Sequence, residues 1–245
     1  MSLLPSLLQL LMLGALSYAK GAAAALSPEP IVEWQDKGIF VIQSESLKKC
    51  IRAGKSVLTL ESCFKPPNEY MLWKWVSNHH LFNIGGSGCL GLNLSNPEQP
   101  LSIYECDSTH VSLRWHCTQN RILGPLQYMV QVNPNNTLVA SRKYLHKWIS
   151  YMSDGGGICE YLHKDLYTIK GNAQGTPCMF PFQYKRQWHH ECTREGRAGD
   201  SLWCATTSRY ERDQKWGFCP DPKMHWLKRV GPQYLDKSPK PSRCR

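Results

Sequence analysis

The sequence predicts an all-β protein in which a domain built from three repeats is followed by a small module stapled by disulfide bonds. Three observations predict this class: the chain lacks sustained helical periodicity, it repeats itself between Trp34 and Leu162, and it contains 11 cysteines. A chain of 245 residues is long enough for two domains, and the grouping of the cysteines favours that division.

The first group of cysteines follows the repeat. Cys50 and Cys63 occupy the same places in the first copy as Cys89 and Cys106 do in the second, so each pair is predicted to close a hairpin-like loop. The third copy has no cysteine and runs to Trp148. Short β-rich runs bounded by Gly, Pro and Asn fill each copy, as expected for strands and hairpins.

One such repeat cannot bury its apolar face alone, but three repeats around a pseudo-threefold axis can close a barrel without a long free edge. We therefore predict a cysteine-rich β-trefoil over residues 33–162. Cys117 and Cys159 remain in this region and are predicted to join the end of the second repeat to the exit of the domain. Such bridges add about 2 to 4 kcal/mol each to a domain that already has a core.

The first 19 residues have the pattern of a secretory signal peptide. An apolar run from Leu3 to Leu13 is followed by Ser17, Tyr18 and Ala19, with small residues at the two positions that a signal peptidase reads. The alternative, a membrane anchor, needs about 20 apolar residues, and neither this run nor any later one is that long. We expect a secreted, extracellular chain without a membrane span, in which disulfides form.

The second group, Cys178, Cys192, Cys204 and Cys219, contains no C-x-x-C pair, so its spacing favours disulfides over a zinc site. Spacing alone leaves three pairings open. The sequences F-P-F at 180–182, W-C-x-T-T at 203–207 and G-F-C-P at 217–220 are interleaved with these cysteines. The region 173–221 is therefore similar to a fibronectin type II module. That resemblance implies the crossed pairs Cys178 to Cys204 and Cys192 to Cys219.

The tryptophan that closes each repeat resembles the Q-x-W signature of ricin-type β-trefoils. The closing residues are Trp75, Trp115 and Trp148, and the glutamine is replaced each time, by Trp73, Leu113 and His146 respectively.

The order of a signal, a cysteine-rich trefoil and a type II module resembles the amino-terminal part of the mannose receptor family. Within that family the sequence is most similar to the phospholipase-binding branch, in the segments 33–40, 72–77, 82–89 and 159–165. In the family, C-type lectin domains, a transmembrane helix and an endocytic tail follow. The sequence after Pro222 has none of these patterns, so we expect a truncated, secreted form.

The type II resemblance implies a site for collagen or gelatin at Tyr184, Arg197, Trp203, Tyr210 and Trp216. The aromatic residues of this short region outnumber what so small a core can hold, so several are expected on an exposed platform. The family's G-R-x-D is replaced by G-R-A-G-D at 196–200, which moves the acid by one position. In the trefoil, Leu145 stands where a mannose receptor has a sugar-stacking aromatic residue, so sulfated-glycan binding is not expected there.

Nothing in the sequence favours catalysis or a cofactor. The motifs of serine hydrolases, zinc peptidases and phosphate-binding loops are absent from the sequence. The dipeptides His79-His80 and His189-His190 do not predict a metal site, because neighbouring side chains of a strand point to opposite faces. Two sequons predict glycosylation at Asn93 and Asn135.

The formal charge of +10 is concentrated in the segment 222–245, which has seven basic residues and one acid from Lys223 onward. Such a segment is either a solvated, disordered end or a contact for polyanionic glycans. We expect no nucleic-acid partner. Three functions remain: a collagen-binding module, a soluble decoy for secretory phospholipase A2, and a secreted hydrolase, which no motif favours.

Cys244 is expected to be the thiol left over when ten cysteines pair. Because Arg243 and Arg245 flank it, the thiolate should form readily. In an oxidising compartment we predict that Cys244 is capped by a small thiol or joins two chains, unless proteolysis removes the segment. Intact-mass analysis checks this, and a full-length monomer with one titratable thiol would contradict it. Loss of a dimer in Cys244→Ser would support it.

Overall fold

A computed structural model describes residues 34, 37–64, 66–106, 110–143, 146–151 and 156–221. The predicted signal peptide at 1–19, Leu145, and the segment 222–245 with Cys244 lie outside the described residues. None of the helices in the described ranges has the length and apolar character needed to span a bilayer.

Twelve short strands lie in the described part of the first domain, four from each repeat. They are β1 Ile39–Ser44, β2 Lys49–Ala53, β3 Leu58–Ser62 and β4 Leu72–Val76; β5 His80–Asn83, β6 Gly88–Gly91, β7 Ser102–Tyr104 and β8 His116–Thr118; and β9 Arg121–Leu123, β10 Met129–Val132, β11 Leu138–Ser141 and β12 Trp148–Tyr151. Single 3-10 turns connect several of them, at Glu69–Met71, Ser77–His79, Val111–Leu113, Pro125–Gln127 and Ile158–Tyr161. The predicted all-β class is confirmed.

The pairing of the strands repeats three times. Each repeat contributes one antiparallel hairpin, β2–β3, β6–β7 or β10–β11. Pairs β1–β4, β4–β5, β8–β9 and β1–β12 run around the barrel. Two further backbone hydrogen bonds extend the barrel pairing. The Trp115 amide donates to the His79 carbonyl at 2.8 Å, and the Trp148 amide donates to the Asn120 carbonyl at 2.7 Å. The arrangement is the predicted β-trefoil.

Three buried tryptophans mark the repeats inside the barrel. The indole N–H of Trp73 donates to the Ile51 carbonyl, that of Trp115 to Leu90, and that of Trp148 to Val130, over 3.4, 2.8 and 3.4 Å. Each acceptor lies on the first strand of its own hairpin, so the same bond recurs in every repeat. A buried indole needs such a partner, and here it also fixes the hairpin to the barrel.

In the first repeat the predicted Q-x-W register was wrong by two residues, because the closing tryptophan is Trp73 and not Trp75. The residue equivalent to Trp115 and Trp148 is Trp73, and Met71 therefore occupies the position of the glutamine. Trp75 donates instead to the Ile158 carbonyl at 3.0 Å, on the turn that leads out of the domain. The sequence W-K-W offered two tryptophans, and only the hairpin contact distinguishes them.

The described residues form five disulfides, between Cys50 and Cys63, Cys89 and Cys106, Cys117 and Cys159, Cys178 and Cys204, and Cys192 and Cys219. The first two join the start of hairpins β2–β3 and β6–β7 to the residues after them. The last two are the crossed pairs that the type II resemblance implies.

Between residues 156 and 221 the chain contains two small antiparallel hairpins, formed by β13 Phe182–Tyr184 with β14 Gln187–His189 and by β15 Trp203–Ala205 with β16 Trp216–Phe218. One helical turn, Tyr210–Asp213, lies between β15 and β16. The peptide bond between Phe180 and Pro181 is cis.

The two domains are docked through Ser77, at the turn between β4 and β5. Its amide donates to the Phe180 carbonyl at 2.8 Å, and its hydroxyl accepts the Phe180 amide at 2.9 Å. An ion pair of 2.9 Å between Glu105 and Arg209 adds a second attachment. The apolar cluster of the type II module continues into the trefoil through Val76 and Phe82. The two cores are therefore joined, and backbone donors at the junction are satisfied.

Candidate functional site

Trp203 is the centre of the candidate site. It lies on β15, is only 1% exposed, and donates its indole N–H to the Glu195 carbonyl at 2.8 Å. Rings of Tyr184, Tyr210 and Trp216 meet it edge to face, with centroids 5.3, 4.9 and 6.4 Å away. Such edge-to-face contacts stabilise an aromatic cluster beyond the area they bury. Trp203 therefore forms the floor of the site rather than part of its surface.

Arg197 lies over this aromatic cluster. The carbon of its guanidinium is 3.4 Å from the centre of the Trp216 ring and 4.9 Å from that of Trp203. One terminal nitrogen donates to the Tyr210 hydroxyl at 2.8 Å. A planar guanidinium has five N–H donors, and this bond uses one of them. The remaining donors of Arg197 meet no acceptor among the described residues, so they can reach a ligand.

Gly196 allows the Tyr184 side chain to lie against the loop that carries Arg197. Its φ of +73° is in the region that favours glycine, and a Cβ there would lie 1.8 Å from the Tyr184 hydroxyl. The loop can therefore bring Arg197 beside Tyr184 only with glycine at this position. Lys185 and Glu195 form an ion pair of 3.5 Å at the same edge. The phenolic Tyr184 and the Glu195 carboxylate raise the pKa of Lys185.

The structure brings all five predicted site residues together, although they are spread over 33 positions from Tyr184 to Trp216. Tyr184, Arg197, Tyr210 and Trp216 are half-buried, whereas Trp203 is buried. One neighbour was not predicted: Phe218 is half-buried and meets Trp216 edge to face at 5.1 Å. Phe218 could have been predicted, because it belongs to the G-F-C-P motif on which the resemblance to a type II module depends.

Asp200, the displaced acid of G-R-A-G-D, contributes its backbone carbonyl to the loop. The carbonyl of Asp200 accepts the Nε–H of Arg194 at 3.1 Å, while the guanidinium of Arg197 is oriented by Tyr210. The changed loop therefore still holds Arg197 over the aromatic rings.

The rings of the His189-His190 dipeptide contact different neighbours. His189 stacks on Phe182 at 5.2 Å, while His190 contacts Phe82 of the trefoil at 5.5 Å. Burial lowers the pKa of His189, opposed by Glu195. Within the described ranges, the group of His, Cys, Asp and Glu close enough for a metal consists of Cys178, Cys204 and Cys219, whose sulfurs are in disulfides. Such sulfurs are not thiolate ligands.

Both sequons lie on turns of the trefoil. Asn93 follows β6, and its side-chain amide donates to Gln99 at 2.9 Å. Asn135 is exposed between β10 and β11.

Comparison with known families identifies both domains. Residues 36–160, just over half of the chain, match the model of the MRC2-like, N-terminal cysteine-rich domain. The chain belongs to the family of the MRC2-like, N-terminal cysteine-rich domain. Residues 178–219 match the fibronectin type II domain, so the resemblance to the mannose receptor family is confirmed.

Curated relatives of this family are much longer than the chain. It is 77% identical to the secretory phospholipase A2 receptors of Bos taurus over 217 residues and of Homo sapiens over 223 residues, which is 89% and 91% of this chain. It is 35% identical over 222 residues to human C-type mannose receptor 2, with 86% of this chain covered. The chain spans 15% of the length of the first two relatives and 14% of the third.

Two solved structures match a little under half of the chain. The β-trefoil lectin of the Vibrio vulnificus hemolysin/cytolysin, with N-acetyl-D-lactosamine bound, covers 46% of this chain and 92% of its own at a TM-score of 0.40 and 12% identity. The agglutinin from Abrus precatorius covers 46% of this chain and 46% of its own at a TM-score of 0.39 and 15% identity.

Proposed function

We propose that the chain is a secreted, extracellular binding protein whose type II module binds collagen or gelatin. The observation that supports this most directly is Arg197, whose guanidinium carbon lies 3.4 Å from the centre of the Trp216 ring, with most of its N–H donors directed at no described acceptor. A polyproline-like chain offers the complementary chemistry, because its rings are apolar and its carbonyls lack internal hydrogen bonds. Glycosylation at Asn93 and Asn135, and contact of the segment 222–245 with polyanionic glycans, belong to the same proposal.

In this proposal the ligand lies across the half-buried rings of Tyr184, Tyr210 and Trp216. Rigid aromatic faces give contact area at a low cost in conformational entropy. Arg197 then donates to one or two carbonyls of the ligand, and Trp203 supports both from beneath. Recognition of the backbone rather than of side chains would favour denatured collagen, in which single chains expose their carbonyls.

We expect Arg197→Ala to weaken gelatin binding by about tenfold or more, because it removes charge-assisted hydrogen bonds and the cover of Trp216. Arg197→Lys should recover little, since an ammonium is neither planar nor bidentate. Arg186→Ala is the matched control: Arg186 is exposed in the same module, on the turn between β13 and β14. Retention on immobilised gelatin, with circular dichroism to verify folding, measures the effect. A folded Arg197→Ala chain that is retained like the wild type would remove Arg197 from the site.

A second candidate is a soluble decoy for secretory phospholipase A2. The observation that favours it is the 77% identity to receptors named for that ligand. Surface plasmon resonance of the chain against a panel of secretory phospholipases tests it directly. Binding that survives Arg197→Ala would place the phospholipase surface elsewhere, whereas no binding to any member of the panel would dismiss this candidate.

A further inference from the structure

A cleft of about 660 Å³ lies where the two domains meet, away from the aromatic site. Trp75, Tyr161 and Leu162 line it from the trefoil side, and Leu166 and Phe180 from the type II side. Its volume is in the range of small-molecule pockets, which often form at domain interfaces.

Most of the charged groups that face the cleft are cationic or can become so. Lys74 lies on strand β4, and His163 and His190 line the cleft beside it. Lys37 and Lys164 are exposed lining residues, and the acids are Glu160 and Glu191. Glu160 is already engaged, because its carboxylate accepts the Gly157 amide at 3.1 Å.

Lys74 is the partly buried cation of this cleft. Burial lowers the pKa of Lys74, and the charge of Glu191 opposes this. The ammonium of Lys74 forms neither a hydrogen bond nor an ion pair with a described residue. A largely buried charge without such a partner is costly, and a bound anion would remove that cost.

The charge of Lys74 contributes to lowering the pKa of both His190 and His163. Burial and, to a smaller extent, the charge of the neighbouring Lys74 together lower the pKa of His190 to about 4. Burial also lowers the pKa of His163, with Lys74 contributing and Asp165 opposing. The Nδ1 atom of His190 is buried without a hydrogen bond to another described residue. Both imidazoles therefore favour the neutral form, and the positive charge beside them in the cleft is that of Lys74.

We propose that this cleft binds a small organic carboxylate with an apolar body. The carboxylate contacts the Lys74 ammonium next to His190, and the apolar body packs against Trp75, Leu162 and Phe180. Charge complementarity selects the head group, since an oxyanion offers the hydrogen-bond acceptors that Lys74 lacks. The apolar lining selects against small hydrophilic anions.

Four probes separate the contributions of the two parts of the ligand. Calorimetry of the wild-type chain with octanoate, acetate, octan-1-ol and octane-1-sulfonate, below micellar concentrations, compares head group and body. We expect octanoate to bind at least about tenfold more tightly than acetate or octan-1-ol, the difference that one charge-assisted hydrogen bond or a few buried methylenes produce. Equal binding of octan-1-ol or of acetate would overturn the proposal. Tighter binding of octane-1-sulfonate would overturn the assignment as a carboxylate.

Substitutions at Lys74 test the same contact. Lys74→Met keeps the length of the side chain and removes a buried charge, which folded proteins tolerate well. It should weaken octanoate binding by about tenfold or more, while Lys74→Arg retains most of it. Lys164→Met is the control on the exposed rim. Octanoate binding in Lys74→Met at wild-type affinity would refute the site.

A measurement on the wild-type chain needs no substitution. A carboxylate beside Lys74 should raise the pKa of His190 from about 4, because it neutralises the charge that disfavours the imidazolium. NMR titration of the histidine rings, with and without saturating octanoate, detects this. An unchanged His190 titration would exclude binding at this point of the cleft.

Discussion

Trp203→Ala is expected to unfold the type II module and to abolish gelatin binding with it. The ring is 1% exposed, three aromatic side chains meet it edge to face, and its N–H is bonded to Glu195. Truncation of a large buried aromatic residue costs about 3 to 5 kcal/mol, a large part of the stability of a small domain. Urea denaturation and gelatin retention of the same preparations measure both effects.

Trp188→Ala and Trp203→Phe are the controls for Trp203→Ala. Trp188→Ala truncates a half-buried tryptophan of the same module, on β14, and should cost about 1 kcal/mol. Trp203→Phe keeps an aromatic ring but loses the bond to Glu195, so its stability should lie between the other two. If Trp203→Ala remains folded and still binds gelatin, Trp203 is not the floor of the site.

Acid is expected to destabilise the docked domains between pH 6.5 and about 4 through His190. Burial lowers the pKa of His190 to about 4 in the folded chain, below its ordinary value of 6.5. The unfolded chain therefore binds more protons in this window, and the free energy of unfolding falls as the pH falls. The contribution is complete above pH 6.5 and amounts to up to about 3 kcal/mol at its full loss.

Comparison with His190→Phe isolates this contribution from those of the other histidines. The variant keeps a ring against Phe82, 5.5 Å away in the wild type, but cannot take up a proton. Its free energy of unfolding, measured by urea denaturation from pH 7.5 to 4, should therefore fall less steeply than that of the wild type. Parallel profiles for the two chains would show that His190 does not govern the acid response.

The trefoil could be predicted from the sequence because its signals are local and repeated. The cysteines at 50, 63, 89 and 106 have equal places in successive copies, and each copy alone specifies a hairpin. The register within the first repeat was wrong, because Trp73 and Trp75 satisfy the same motif. The hydrogen bond from Trp73 to Ile51 decides between them, and it joins residues 22 positions apart.

The docking of the two domains had no sequence signal. Ser77 and Phe180 are 103 positions apart, and neither belongs to a motif that predicts the other. For the same reason the cleft with Lys74 and His190 was not predicted, because its two walls come from different domains. Contacts of this kind depend on the final arrangement of finished domains rather than on any periodicity.

The number of exposed aromatic residues was harder to judge than their positions. The prediction treated the type II module as an isolated core, which would have to leave several rings outside. In the structure Val76 and Phe82 of the trefoil extend that core, so Trp203 and Phe182 are fully covered. The five site residues nevertheless converge, because the crossed disulfides and two hairpins fix where each side chain points.

The paired bonds between Ser77 and Phe180 also determine how the molecule would carry a mechanical load. Tension applied to the type II module would reach the trefoil through these two short bonds, which are 2.8 and 2.9 Å long, and through the ion pair and apolar cluster beside them. The disulfides within each domain are covalent and resist the same load. We therefore expect the docking contact to open before either disulfide-stapled domain is stretched.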